Sequence, residues 1–232
     1  MLRTLAFLTL FTTPVIADLV DGGFETNPFE SYVNVAGSPF VVDRWAPENG
    51  SAVTGPDNGI LPFAGNQMLR MEVGFIVAQT PQIFDVSSFS TLIDNGNAQL
   101  DFGAYFNVPS STSAADARIT VYFQPATTTG TIYTGTTGIV AAQVITDSDT
   151  STWELASGSS IIPANTRSVA VELSYAGSTV NGNPGYVDNA FASVTAVPEP
   201  SSALSLLLLA TGLVSIRRLK HGGFTYADTS NA

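Results

Sequence analysis

The chain contains no cysteine, and its single histidine, His221, stands near the C-terminus. Between residues 18 and 196 there is no lysine either. The missing cysteines exclude disulfide staples, on which many small exported domains rely. With histidine also absent from that span, a Cys/His zinc site, a Ser-His-Asp triad and a Cys-His pair are excluded there. Carboxylate chemistry of the glycoside-hydrolysing kind and oxygen-only metal sites stay open. Positive charge is scarce as well. Seventeen Asp and Glu in residues 18–196 face only Arg44, Arg70, Arg118 and Arg167, a net charge of −13. Such a surface repels nucleic acid and anionic membranes, so no nucleic-acid partner is expected. Divalent cations are its natural counterparts.

Long apolar runs are confined to the two ends. Met1-Leu2-Arg3 gives a charged start, residues 5–11 (LAFLTLF) a short apolar run, and Val15-Ile16-Ala17 small residues before Asp18. These are the three parts of a secretory signal peptide, residues 1–17, with cleavage expected after Ala17. At the other end, Val197-Pro198-Glu199-Pro200 precedes the apolar run 203–216 (ALSLLLLATGLVSI), and Arg217, Arg218 and Lys220 follow it. The prolines cannot continue a strand or helix and so set off the folded region. The run is marginal for a hydrocarbon core of about 30 Å. Flanking Arg and Lys can snorkel and remain cytoplasmic, which implies a weak out-to-in membrane anchor.

The order V-P-E-P, apolar run, R-R resembles the PEP-CTERM sorting signal of Gram-negative bacteria that make exopolysaccharide. The resemblance covers residues 197–220, and a tail, 221–232, follows it. It implies recognition of Pro198, Glu199 and Pro200 by an exosortase-type processing enzyme and delivery to the cell surface or extracellular matrix. A plain anchor without processing is the alternative.

Residues 18–196 suit one domain with a full core. In residues 98–108 Leu100, Phe102, Ala104, Phe106 and Val108 alternate with Gln99, Asp101, Gly103, Tyr105 and Asn107. Residues 118–124 and 168–175 repeat the pattern through Ile119, Val121, Phe123 and Val169, Val171, Leu173. Period-two alternation marks strands that bury one face, as antiparallel sheets allow. Asn49-Gly50, Asn58-Gly59, Asn95-Gly96 and Asn181-Gly182 read as turns. The expected fold is all-β: an antiparallel two-sheet β-sandwich, with a jelly roll its commonest form at this size. Residues 127–138 (TTTGTIYTGTTG) read as a long hairpin loop, or else a glycosylated or ligand-contacting one. Trp45 and Trp153 are expected in the core.

The segment Asp18-Leu-Val-Asp21-Gly22-Gly23-Phe24-Glu25, with Gly185-Tyr186-Val187-Asp188-Asn189-Ala190-Phe191, resembles carbohydrate-binding modules and galactose-binding-like jelly rolls. Trp45 and Gly65-Asn66-Gln67-Met68-Leu69 fit the same pattern loosely. In those families a Glu of the first strand and an Asp of the last hold a structural calcium ion. The resemblance implies Ca2+ held by Glu25 and Asp188, with Asp21 where the family usually has Asn. Two converging carboxylates repel, and a hard cation between them relieves that; ordinary solvated strand-end acids are the alternative. A sugar platform is a second expectation: Gln99, Asp101 and Tyr105 beside Thr120, Tyr122 and Gln124, provided that the two strands are neighbours. Flat rings and planar polar groups are what sugars need. Three functions follow: a non-enzymatic surface or matrix protein binding polysaccharide, a structural biofilm or coat component with no specific ligand, or a carboxylate-based glycoside-active enzyme.

Overall fold

The computed structural model describes residues 17–26, 41–46, 52–71, 77–112, 115–125, 135–176 and 184–197. The N-terminal signal up to residue 16, the Pro198-Glu199-Pro200 motif, the apolar run, the basic cluster and the tail lie outside the described residues, as do Asn49-Gly50 and Asn181-Gly182. Among the described residues no helix is long and apolar enough to cross a membrane.

Among the described residues nine strands form: β1 (Ala52–Thr54), β2 (Met68–Met71), β3 (Val77–Asp85), β4 (Ala98–Asn107), β5 (Asp116–Gln124), β6 (Gly138–Ile145), β7 (Glu154–Ile161), β8 (Ser168–Ala176) and β9 (Gly185–Ala196). A 3-10 turn, Ser87–Phe89, leads into the short helix α1, Ser90–Asp94. One sheet has the order β1-β2-β9-β4-β7 and the other β3-β8-β5-β6. All pairs are antiparallel, and β2 with β9, β3 with β8, β4 with β7 and β5 with β6 nest inside one another. Strands β2 to β9 are thus a single long hairpin wrapped over itself, closed by the β4–β9 and β5–β8 pairs. That is the jelly-roll sandwich the alternating segments predict.

The alternation does what it implies. Leu100, Phe102, Ala104 and Phe106 from β4 meet Ile119, Val121 and Phe123 from β5, and Val169, Val171 and Leu173 from β8, in one buried cluster. Trp45 is fully buried in that cluster, and its indole N–H donates to the Asp21 carbonyl at 3.0 Å. Tyr175 of β8 crosses between the layers. Its buried hydroxyl lies 2.7 Å from the Tyr186 carbonyl of β9 and accepts the Asn107 N–H of β4 at 3.1 Å. Asn58-Gly59 forms the expected tight turn, both residues at positive φ, between the bridged Asp57 and Ile60. Asn95-Gly96 is the turn that ends α1, with Gly96 at φ +72° in the left-handed position that closes many helices.

Candidate functional site

Consecutive strands β4 and β5 belong to different sheets, so the single platform expected from Gln99, Asp101, Tyr105, Thr120, Tyr122 and Gln124 does not exist. In a nested hairpin the chain crosses from one layer to the other between these strands. Their polar faces therefore point away from the sandwich in opposite directions. Period two tells which side of a strand is wet, but not which sheet the strand joins.

On the outer face of β3-β8-β5-β6 lies a cleft of about 410 Å³ lined by Gln79, Arg118, Thr120, Tyr122, Ile139 and Glu172, among others. Register places Thr120 opposite Glu172 and Tyr122 opposite Ala170. The Tyr122 ring packs on buried Ile83 and Ala170, which fixes its plane. Glu172 is only 3% exposed, and its Oε1 accepts from the Gln79 side-chain amide at 3.1 Å and stands 3.5 Å from the Tyr122 hydroxyl. Burial, and then the Glu172 charge, push the Tyr122 phenol up to about 12, so it remains a hydrogen-bond donor at any physiological pH. Arg118 is bonded to Asp116 and Gln143 at 3.2 Å each. Gln124, 1% exposed, instead pairs with Ser168, and Thr120, though largely buried, belongs to the cleft wall. Sequence reading missed Glu172 and Gln79. The signal for Glu172 was an acid at an outward position of the alternating segment 168–175.

The opposite outer face has a different character. Gln99 donates to Asp101 at 2.8 Å, and the two form a local pair on β4. Tyr105 is covered: the Phe63 ring stacks on it with centroids 3.7 Å apart and planes 17° from parallel. Tyr105 therefore does not present an open ring to solvent, contrary to the platform expected from its strand position. Trp153 is only partly a core residue: just before β7 and half-buried, it packs on the buried cluster of Ile60, Met68 and Tyr186, edge-on to Phe63 at 6.3 Å, with its indole N–H donating to the Leu61 carbonyl. Phe63 sits in a loop that period-two reading cannot see.

That loop also organises the acids. A bulge between Gly103 and Tyr105 in the β4–β9 register, with Asn189 at φ +46°, sets Asp188 on the outer face beside Tyr105. The Ala64 N–H donates to Asp188 Oδ2 at 3.0 Å, and Asn66 and Gln67 N–H donate to Glu25 Oε1 at 2.8 and 2.9 Å. A Cβ at Gly65, which has φ +66°, would collide with the Glu25 carboxylate. Burial first, and Glu25 more weakly, push the Asp188 carboxyl up to about 6. Asp21 is engaged differently: its carboxylate caps the N–H groups of Glu25 and Thr26. Among the described residues no group of three acids is placed to hold a metal ion, so Asp21, Glu25 and Asp188 do not converge as one set.

No protein-family model matches the sequence, and no curated protein is similar to it. Solved structures similar to the chain include a family 61 carbohydrate-binding module in complex with β-1,4-galactotriose. That structure is 12% identical over 72% of this chain and 99% of its own, with a TM-score of 0.42. A family 16 carbohydrate-binding module is 15% identical over 75% and 97%, TM-score 0.45. The Stig cyclase Fisc from Fischerella sp. TAU is 12% identical over 79% and 99%, TM-score 0.48.

Proposed function

We propose that the chain is an exported, non-enzymatic surface or matrix protein whose jelly roll binds polysaccharide in the Tyr122–Glu172 cleft. The observation that carries this reading is the cleft's chemistry. A fixed aromatic ring stands beside a buried carboxylate, a side-chain amide, a guanidinium and a hydroxyl. Sugars offer C–H faces to the first and hydroxyls to the rest. Binding rather than hydrolysis is supported by Glu172, which Gln79 engages at the cleft, and by Asp116, whose Oδ2 is paired with Arg118.

Export rests on the signal-like residues 1–17. Surface delivery through an exosortase-type enzyme rests on Pro198, Glu199, Pro200 and the apolar segment behind them, which would also hold the chain in the inner membrane before processing. Exopolysaccharide is then the ligand within reach. The two carboxylates of Glu25 and Asp188 suit one hard cation, and Ca2+ is the reading for them. Its support is the cost of a buried Asp188 charge beside Glu25, which a cation would remove. Backbone oxygens would have to complete such a site, since Asp21 is engaged elsewhere.

The test is retention of the full chain on immobilised neutral polysaccharides: β-1,4-galactan, xylan and mixed-linkage β-glucan. Tyr122→Ala removes a stacking ring worth about 1 kcal/mol or more, so affinity for the retained polymer should fall at least about fivefold. Glu172→Gln should weaken it comparably. Retention unaffected by both substitutions sinks this location, and no retention on any polymer leaves the structural-coat reading.

A further inference from the structure

We infer that the sandwich carries a second saccharide cleft on its other outer face, at Phe63 and Trp153, so that one molecule joins two neutral polysaccharide strands. The inference rests on the polysaccharide reading above and extends it to a separate site. A cleft of about 430 Å³ opens between the loop that follows the Asn58-Gly59 turn and the segment leading into β7. Leu61, Pro62, Phe63 and Trp153 supply its apolar walls, and Thr150 and Ser151 bring hydroxyls to its rim.

Three observations set this apart from an ordinary loop strap. First, the apolar groups face water: Leu61 is 67% exposed and Phe63 41%. Apolar side chains needed only to hold a loop down would be covered by it. Second, the rings are held rigidly. Phe63 is backed by Tyr105, its loop is tied to Asp188 and Glu25 through Ala64, Asn66 and Gln67, and Trp153 is tied to the Leu61 carbonyl. Phe63 and Trp153 meet at 73°, which makes a corner with two flat apolar walls. Rigid aromatic surfaces lose little entropy on binding. Third, among the described residues no charged side chain lines the cleft, in a domain of net charge −13; Asp149 stands behind the rim, where it accepts the Ser151 hydroxyl at 2.7 Å. A corner of two rings with hydroxyls at its rim matches a neutral pyranose, with C–H groups against the rings and hydroxyls toward Thr150 and Ser151.

The two clefts lie on opposite outer faces of the sandwich, with both sheets between them. A single sugar chain bound in one cleft would have to round the sheet edge to reach the other. Two strands can occupy both at once. The domain then acts as a cross-link, and its avidity for a network exceeds that of either cleft.

Tryptophan emission gives a direct test, because the chain has two tryptophans and Trp45 is fully buried. Oligosaccharides cut from β-1,4-galactan, xylan or mixed-linkage β-glucan are titrated into the full chain, and the intact polymers are mixed with it for turbidity. Wild type should show a saturable change in Trp153 emission, two sugars bound per chain, and turbidity with polymer. The emission change should persist in the Tyr122→Ala, Glu172→Gln double variant, with one sugar bound and no turbidity. Leu61→Ser and Trp153→Phe, each checked by its melting curve, should bind one sugar through the other cleft and also fail to cross-link. Two outcomes overturn the inference while leaving the first cleft intact: emission unmoved by any sugar while wild type is retained on polymer, or all binding lost with Tyr122 and Glu172. No retention of wild type on any polymer overturns both.

Discussion

Asp188→Asn separates the cost of a buried charge from the benefit of a cation, because the two push stability in opposite directions. In the folded chain the Asp188 carboxyl titrates at about 6, against 3.8 for the ordinary group. A raised carboxyl favours the fold fully below pH 3.8, and that advantage is lost as pH rises to 6. At pH 7 without metal, carrying the charge therefore costs the fold up to about 3 kcal/mol. Asparagine removes that cost but has one acceptor oxygen where Asp188 has two, Oδ2 taking the Ala64 N–H and Oδ1 that of Asn189. One is left facing an amide donor, which costs about 1–2 kcal/mol. In EDTA at pH 7 the variant should therefore be more stable than wild type by about 1–2 kcal/mol, and at pH 4 that advantage should vanish or reverse. With millimolar calcium the order should invert. Wild type gains about 2.7 kcal/mol at a hundredfold excess over Kd, and the variant gains little. Urea melts of dialysed protein at the two pH values, with EDTA and with CaCl2, read all of this. A wild-type melt indifferent to calcium refutes the cation, and a variant less stable than wild type in EDTA at pH 7 refutes the charge penalty.

Two further substitutions test the frame that holds the clefts. Tyr175→Phe removes the hydroxyl that links β8 to β4 and β9 and leaves the buried Asn107 N–H without its acceptor, so urea denaturation should show a loss of about 1–3 kcal/mol with the binding of sugar unchanged. Gly185→Ala puts a Cβ into the Tyr175 ring, which cannot withdraw from a fully buried position. The expected loss is about 1–3 kcal/mol, and the Tyr175→Phe background should not relieve it, since the ring stays.

The strands were legible because a buried sheet face writes itself into the chain at period two. Residues 98–108, 118–124 and 168–175 fall within or one residue beyond β4, β5 and β8, and their apolar members form the core. Pairing was not legible. β4 and β5 carry the same signature, yet a jelly roll sends them to opposite layers, which split the expected platform. Glu25 and Asp188 are brought near one another by a register bulge and by a loop whose N–H groups point at both, while Asp21 is drawn off by its own turn. Bulges and loop paths depend on contacts far apart in sequence, so short motifs brought two of the three acids together and misplaced the third. The Phe63–Trp153 corner lies in loops, where no periodicity exists to read.

The charge of the domain decides which polymers suit it, and salt exposes that choice. With a net charge of −13 over residues 18–196, approach of a uronate-bearing strand is opposed at every orientation except through the few arginines. Arg118 lines the first cleft, but Asp116 binds it and Glu172 stands in the same cleft, while among the described residues no charged side chain lines the second. Neutral glycans lose nothing to this field, and their recognition by rings and hydroxyls is short-ranged. Retention on a neutral polymer should therefore stay nearly constant from about 0.05 to 0.5 M NaCl, while screening shortens from well over 10 Å to a few ångströms. Retention on alginate should be weak at low salt without calcium and rise with either salt or calcium, because both remove repulsion. A neutral-polymer affinity that collapses with salt would mean that charge drives the binding, and the ring-and-hydroxyl reading of both clefts would be wrong.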